Sequence, residues 1–158
     1  MKKAELMRAL EEAHRSWNRL IKRIPPERMI EPKTLGEWCI KDTIAHVAWV
    51  EAQTVGMLRA QALVGASELW RLPEDERNAP VIAASQKRPL QEILDESRRV
   101  QRELLDLLAS IRPEDMDGAD WFVGLPGKWP PSRVIEVNVL DHYRDHTEEL
   151  ARWYRRNV

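Results

Sequence analysis

NVLDHYRDHTEELARW, residues 138–153, decides the reading of this chain. From Ile135 just before it, Val139, His142, His146, Glu149 and Trp153 step by four and three, the spacing of one face of a helix. Two residues on that face are histidines. Positions i and i+4 of a helix differ by about 40° and about 6 Å, so the rings of His142 and His146 lie side by side. A neutral imidazole on an inward stripe needs partners for its ring nitrogens. The pattern predicts a helix from Pro131 or Ser132 to about Arg156 whose buried side carries chemistry as well as core.

Three further segments share the period. Leu6, Leu10, Ala13, Trp17, Leu20, Ile21 and Ile24 predict a helix over residues 4–24, stopped by Pro25 and Pro26. A connector runs through Pro32 and Gly36. The second helix is predicted from about Cys39 to Val64, with Ile40, Ile44, Val47, Thr54 and Leu58 on its core side and Gly65 closing it. Residues 66–75 read as a loop. Residues 76–86 read as a short extra helix that Pro80 should break early. Pro89 suits the first turn of the third long helix. Its core face holds Leu90, Ile93, Leu94, Leu104, Leu105, Leu108 and Ile111. Residues 112–130 form a long Gly- and Pro-punctuated loop whose aromatic residues suggest a docked lid. Four long amphipathic helices predict an all-α fold, an antiparallel four-helix bundle, as one domain over residues 1–158.

Composition narrows the function classes. The chain has 158 residues, 43% hydrophobic and 32% charged, with a net charge of −1. A charge near zero gives no global field to hold a polyanion, so a nucleic-acid partner is not expected. No stretch approaches a membrane span, so no membrane partner is expected. The single cysteine, Cys39, forbids an internal disulfide. The expected setting is cytoplasmic.

His46 lies almost a hundred positions before the histidine pair, in GEWCIKDTIAHVAWVE, residues 36–51. Two imidazoles under-coordinate a metal ion. A third from another helix would complete a facial set and leave positions open for water or substrate, as catalytic metal sites do. Three neutral histidines would leave the ion's charge uncompensated and favour anionic ligands such as thiolate or carboxylate. Each part alone has a plainer reading. H-x-x-x-H arises by chance on charged helices, and a histidine like His46 also suits a hydrogen-bonded core position. Asp42, Asp141, Asp145 and Glu149 are candidates to hold the far ring nitrogens. Glu149 could also be a ligand or a general base.

These two segments resemble the DinB-like superfamily, the DinB/YfiT-like metalloenzymes. Residues 36–51 have its tryptophan, Lys-Asp, histidine and tryptophan in order. Residues 138–153 have its His-Tyr-x-acid-His and closing tryptophan. Within the superfamily the chain looks most similar to the ClbS/DfsB branch of four-helix bundle proteins. The resemblance implies that His46, His142 and His146 are ligands to a divalent metal, most often zinc or nickel. It implies thiol-dependent transfer or hydrolysis and a homodimer. Cys39 stands where the family often has serine or threonine at the helix N-cap, and Asp145 where glutamate is frequent.

Two functions follow as expectations. In one, the chain is a metal-dependent hydrolase or thiol transferase acting on an electrophilic small molecule, with a low-molecular-weight thiol as a candidate co-substrate. Glu149 or Tyr143 would handle protons, in a detoxification or stress setting. In the other, the bundle binds a hydrophobic small molecule or a protein without catalysis. Trp38, Trp49, Trp121, Trp129 and Tyr143 are candidate pocket walls in either case, or core and interface packing. Cys39, near a helix N-terminus, would have a lowered thiol pKa if exposed, or else fills the cap slot. The run Asp115–Gly118 lacks the later acidic ligand of a calcium loop and reads as a turn.

Overall fold

The computed structural model describes residues 1–63, 67–118, 120–122 and 129–158. These residues are helical, and their only β feature is one isolated bridge between Leu35 and Trp38. The elements are α1 (Lys3–Arg23), α2 (Pro26–Met29), α3 (Ile40–Ala60), α4 (Glu74–Gln86), α5 (Leu90–Ser110), α6 (Pro131–Ile135) and α7 (His142–Asn157). Short 3-10 turns at Glu68–Arg71 and Pro113–Asp115 precede α4 and follow α5. No helix among the described residues is long and apolar enough to cross a membrane.

α3 is the hub. It packs on α5, α4 and α7, while α1 packs on α7 and α5. Nearly every residue of α3 is buried, including Lys41, Asp42, His46, Glu51 and Gln53. A helix covered on all sides must find partners for each polar group it carries. Those partners come from the helices and turns around it: Ser85 donates to Asp42, Gln53 accepts from the Ser67 amide, and His46 and Glu51 reach α7.

α1, by contrast, buries one stripe: Leu6, Leu10, His14, Trp17 and Ile21. α5 does likewise through Ile93, Ser97, Val100, Gln101, Leu104 and Leu108. Each apolar side chain moved fully out of water stabilises the fold by about 1.5–3 kcal/mol.

Three boundaries differ from the sequence expectation. α3 ends at Ala60, four residues before the predicted Val64. Gln61 adopts the left-handed conformation (φ 51°), and the amides of Gln61 and Ala62 both turn back to the Met57 carbonyl. The predicted stop, Gly65, lies outside the described residues. Pro80 does not break α4, which runs through it for 13 residues. Pro80 is exposed, while Val81, Ile82 and Ser85 beyond it are buried and hold the helix down.

The predicted single last helix is in three parts. Between α6 and α7, residues Glu136–Asp141 wind as a π-helix. Its wider i→i+5 turn ends directly at His142. Past it, Tyr143 and Leu150 fill the core while His142 and His146 are only half-buried.

Of the predicted loop over residues 112–130, residues 119 and 123–128 lie outside the described residues. Met116 and Phe122 are buried in the core. The Ser132 amide donates to the Met116 carbonyl (2.9 Å) and its hydroxyl to Asp117 (2.6 Å), tying the loop base to α6. The Gly118 amide bonds the Asp115 carbonyl, so that run is a turn, as read.

Candidate metal centre

His46 projects from the second turn of α3, and His142 and His146 from the first turns of α7. Their Nε2 atoms converge. His142 Nε2 lies 2.9 Å from that of His46 and 3.1 Å from that of His146. One ring nitrogen from each residue falls within 4.8 Å of the other two. The rings meet edge-on, with centroids 4.6–5.3 Å apart.

One imidazole nitrogen has a single in-plane site, either an N–H or a lone pair. His142 Nε2 therefore cannot serve both neighbours fully. An ion bonded at about 2.0–2.1 Å to each nitrogen would hold adjacent nitrogens about 2.9–3.3 Å apart and satisfy all three at once. The donor set fits a divalent cation that accepts imidazole.

The protonation states agree. Burial, then the neighbouring His146, lowers the pKa of His46 to about 4. The same causes, with His46 added, lower that of His142 to about 3. Both rings are neutral near pH 7, with lone pairs available. The Nδ1 atom of His146 bonds Glu149 Oε2 at 3.0 Å. A carboxylate there places the ring proton on Nδ1 and leaves Nε2 bare, pointing at the other two histidines. Beside His46 lies Asn78 of α4, which favours the protonated ring; Nδ1 of His46 and Oδ1 of Asn78 are both buried without a well-formed hydrogen bond.

The remaining candidates separate. Asp42 does not reach His46: it is buried, closes the N-terminus of α3 through the Cys39 amide (3.1 Å), and accepts from Ser85. Asp141 is exposed beside Arg144, and Asp145 is exposed. Cys39 is the α3 cap, its sulfur accepting from the Asp42 amide at 3.4 Å. Burial raises its thiol pKa, contrary to the lowering a free helix N-terminus would cause. Of the aromatic residues, Trp38 lies tilted against His46, with ring centroids 5.0 Å apart. Trp49 faces Trp70, Trp121 packs on the core, and Trp129 is exposed.

Tyr143 is grouped elsewhere. It is 1% exposed, and its hydroxyl donates to Glu51 at 2.5 Å and accepts from Gln101. Glu51 also bonds His14 at 2.8 Å. Burial, then the Glu51 charge, raises the tyrosine's pKa well above its usual value, so it stays protonated. The sequence reading passed over His14 and Glu51. The signals were there: His14 falls on the α1 core stripe, and Glu51 interrupts an apolar run. Nothing in the sequence marks Asn78, Trp70 or Arg77, which reach this region from the segment before and within α4.

A family model described as the DinB superfamily matches residues 9–150. The chain belongs to the DinB superfamily. A comparison with curated proteins finds no match. Among solved structures, an uncharacterised protein from Escherichia coli UTI89 is 19% identical, with TM-score 0.80, over 99% of this chain and 94% of that one. A Streptococcus pneumoniae protein is 14% identical, TM-score 0.78, over 100% and 93%. The colibactin self-resistance protein ClbS, in complex with double-stranded DNA, is 14% identical, TM-score 0.80, over 97% and 95%. These establish a shared fold and agree with the branch that the sequence resembles.

The ClbS complex corrects one expectation. A near-zero net charge makes a nucleic-acid partner unexpected, yet a protein of this fold is seen on double-stranded DNA. Net charge is an average, whereas duplex binding depends on where Lys and Arg are placed.

Proposed function

We propose that His46, His142 and His146 hold one divalent metal, zinc or nickel, and that this DinB-superfamily chain is a metal-dependent hydrolase or thiol transferase. The convergence of three Nε2 atoms on one point carries the reading. A bound ion would supply a Lewis acid that makes water or a small thiol more acidic. Glu149 orients His146 and, being part-exposed, can also take up the proton that the nucleophile releases. Tyr143, buried and bonded to Glu51, positions the helix rather than moving protons. The substrate class is an electrophilic small molecule, in detoxification or stress response. We read α1, α3, α5 and α6–α7 as the antiparallel four-helix bundle of one domain.

Elemental analysis of protein purified without chelator or a nickel column tests this. Close to one equivalent of metal per chain is expected, lost in His142→Ala. No metal at all, with melting unchanged by zinc or by EDTA, sinks the enzyme reading and leaves a non-catalytic small-molecule binder.

The ClbS complex supports a second reading, in which this chain too contacts double-stranded DNA. Fluorescence anisotropy of a labelled duplex at low salt decides it. A rise that salt reverses supports contact, and a flat titration removes it.

A further inference from the structure

His46 and His142 also line a cavity of about 180 Å³. Opposite them stand Glu74 and Arg77 of α4, with Trp70. The Arg77 guanidinium lies 4.1 Å over the Trp70 ring, yet makes no ion pair among the described residues. Its Nε is buried with no hydrogen-bond partner. Elsewhere among the described residues the half-buried arginines form ion pairs: Arg28 with Glu31, and Arg88 with Glu92 and Glu96. A buried Nε–H left without an acceptor costs stability, which a ligand carboxylate would recover. The charge of Arg77 is felt at both His46 and His142, so it acts across the same space.

We propose that Arg77 anchors a substrate carboxylate, holding a small carboxylic acid with its electrophilic carbon toward the three histidines. The proposal rests on the metal-centre reading for its chemistry, though not for its contact. A guanidinium presents two parallel N–H groups that match the two oxygens of a carboxylate. The contact with the Trp70 ring face restrains that fork. Glu74 in the same wall opposes a dianion, such as a phosphate monoester, more than a monoanion. Val50 and Val137 leave apolar room for a short carbon chain.

The test follows the Arg77 Nε–H cross-peak by NMR, assigned with Arg77→Lys, in zinc-loaded and in chelated protein. Butanoate should shift it saturably, and butanamide should not. In Arg77→Gln the butanoate dissociation constant should rise at least tenfold with zinc content unchanged, and Arg77→Lys should fall between. If zinc is not taken up but butanoate still moves the peak, the anchor stands and the metal reading fails. Butanoate binding that leaves the peak unmoved, or that Arg77→Gln does not weaken, overturns the anchor. So does an unmoved peak in both samples, an equal response to butanamide, or tighter binding of methyl phosphate.

Discussion

His146 is the histidine whose orientation the chain controls most directly, because Glu149 one turn on holds its Nδ1. Removing that acceptor frees the ring to rotate and to change tautomer. Glu149→Ala is expected to weaken zinc binding about 10–100-fold, read by competition with a chromophoric chelator, with melting of the chelated protein little changed. Glu149→Gln keeps an acceptor oxygen and should lose less. The lowered pKa values make a second prediction for the chelated protein. The unfolded chain takes up protons at both rings below about pH 6.5, while the folded chain resists until about 4 at His46 and about 3 at His142. The unfolded state thus binds more protons in that window, so stability falls as pH drops from 6.5 toward 3. Urea midpoints across that range should fall more steeply for wild type than for the chelated His46→Gln/His142→Gln double variant. Equal slopes would contradict the assignment.

At the level of the element, the start of α3 shows how a chemical curiosity resolves into a cap. Cys39 accepts from the Asp42 amide, and Asp42 returns a bond to the Cys39 amide. Its exchange for the commoner hydroxyl residue therefore leaves the capping pattern in place, with a weaker sulfur acceptor. Cys39→Ser should keep or raise the melting temperature, whereas Cys39→Ala should cost about 0.5–2 kcal/mol in urea unfolding. The π-helical turn before His142 belongs to the same scale. Sequence periodicity implies one continuous helix there, since a single wide turn hardly disturbs an i, i+3, i+4 pattern over so short a span. The helix starts and stops that were legible came from prolines and local capping. The stop of α3 was not legible, because a non-glycine residue, Gln61, takes the left-handed position.

Across the whole molecule, α3 connects two polar clusters. One is the histidine centre. The other joins α1, α3, α5 and α7 through His14, Glu51, Tyr143 and Gln101. Glu51→Ala would strand two buried polar partners, and should cost about 3–5 kcal/mol by the urea midpoint. Tyr143→Phe leaves one buried Glu51 oxygen without its donor and should cost less, about 1–3 kcal/mol. An effect of Glu51→Ala under about 1 kcal/mol would show that the cluster does not hold the helices together. By itself the sequence determined the amphipathic helices, the pairing of His142 with His146 and the candidacy of His46, because helical periodicity is local and places each residue on a face. Only the tertiary structure decided that Tyr143 turns to Glu51, that Asp42 caps rather than supports a histidine, and that Arg77 and Asn78 come to stand over the site. Those groupings depend on which helix faces which, and contacts between residues far apart in the chain leave no periodic trace in it.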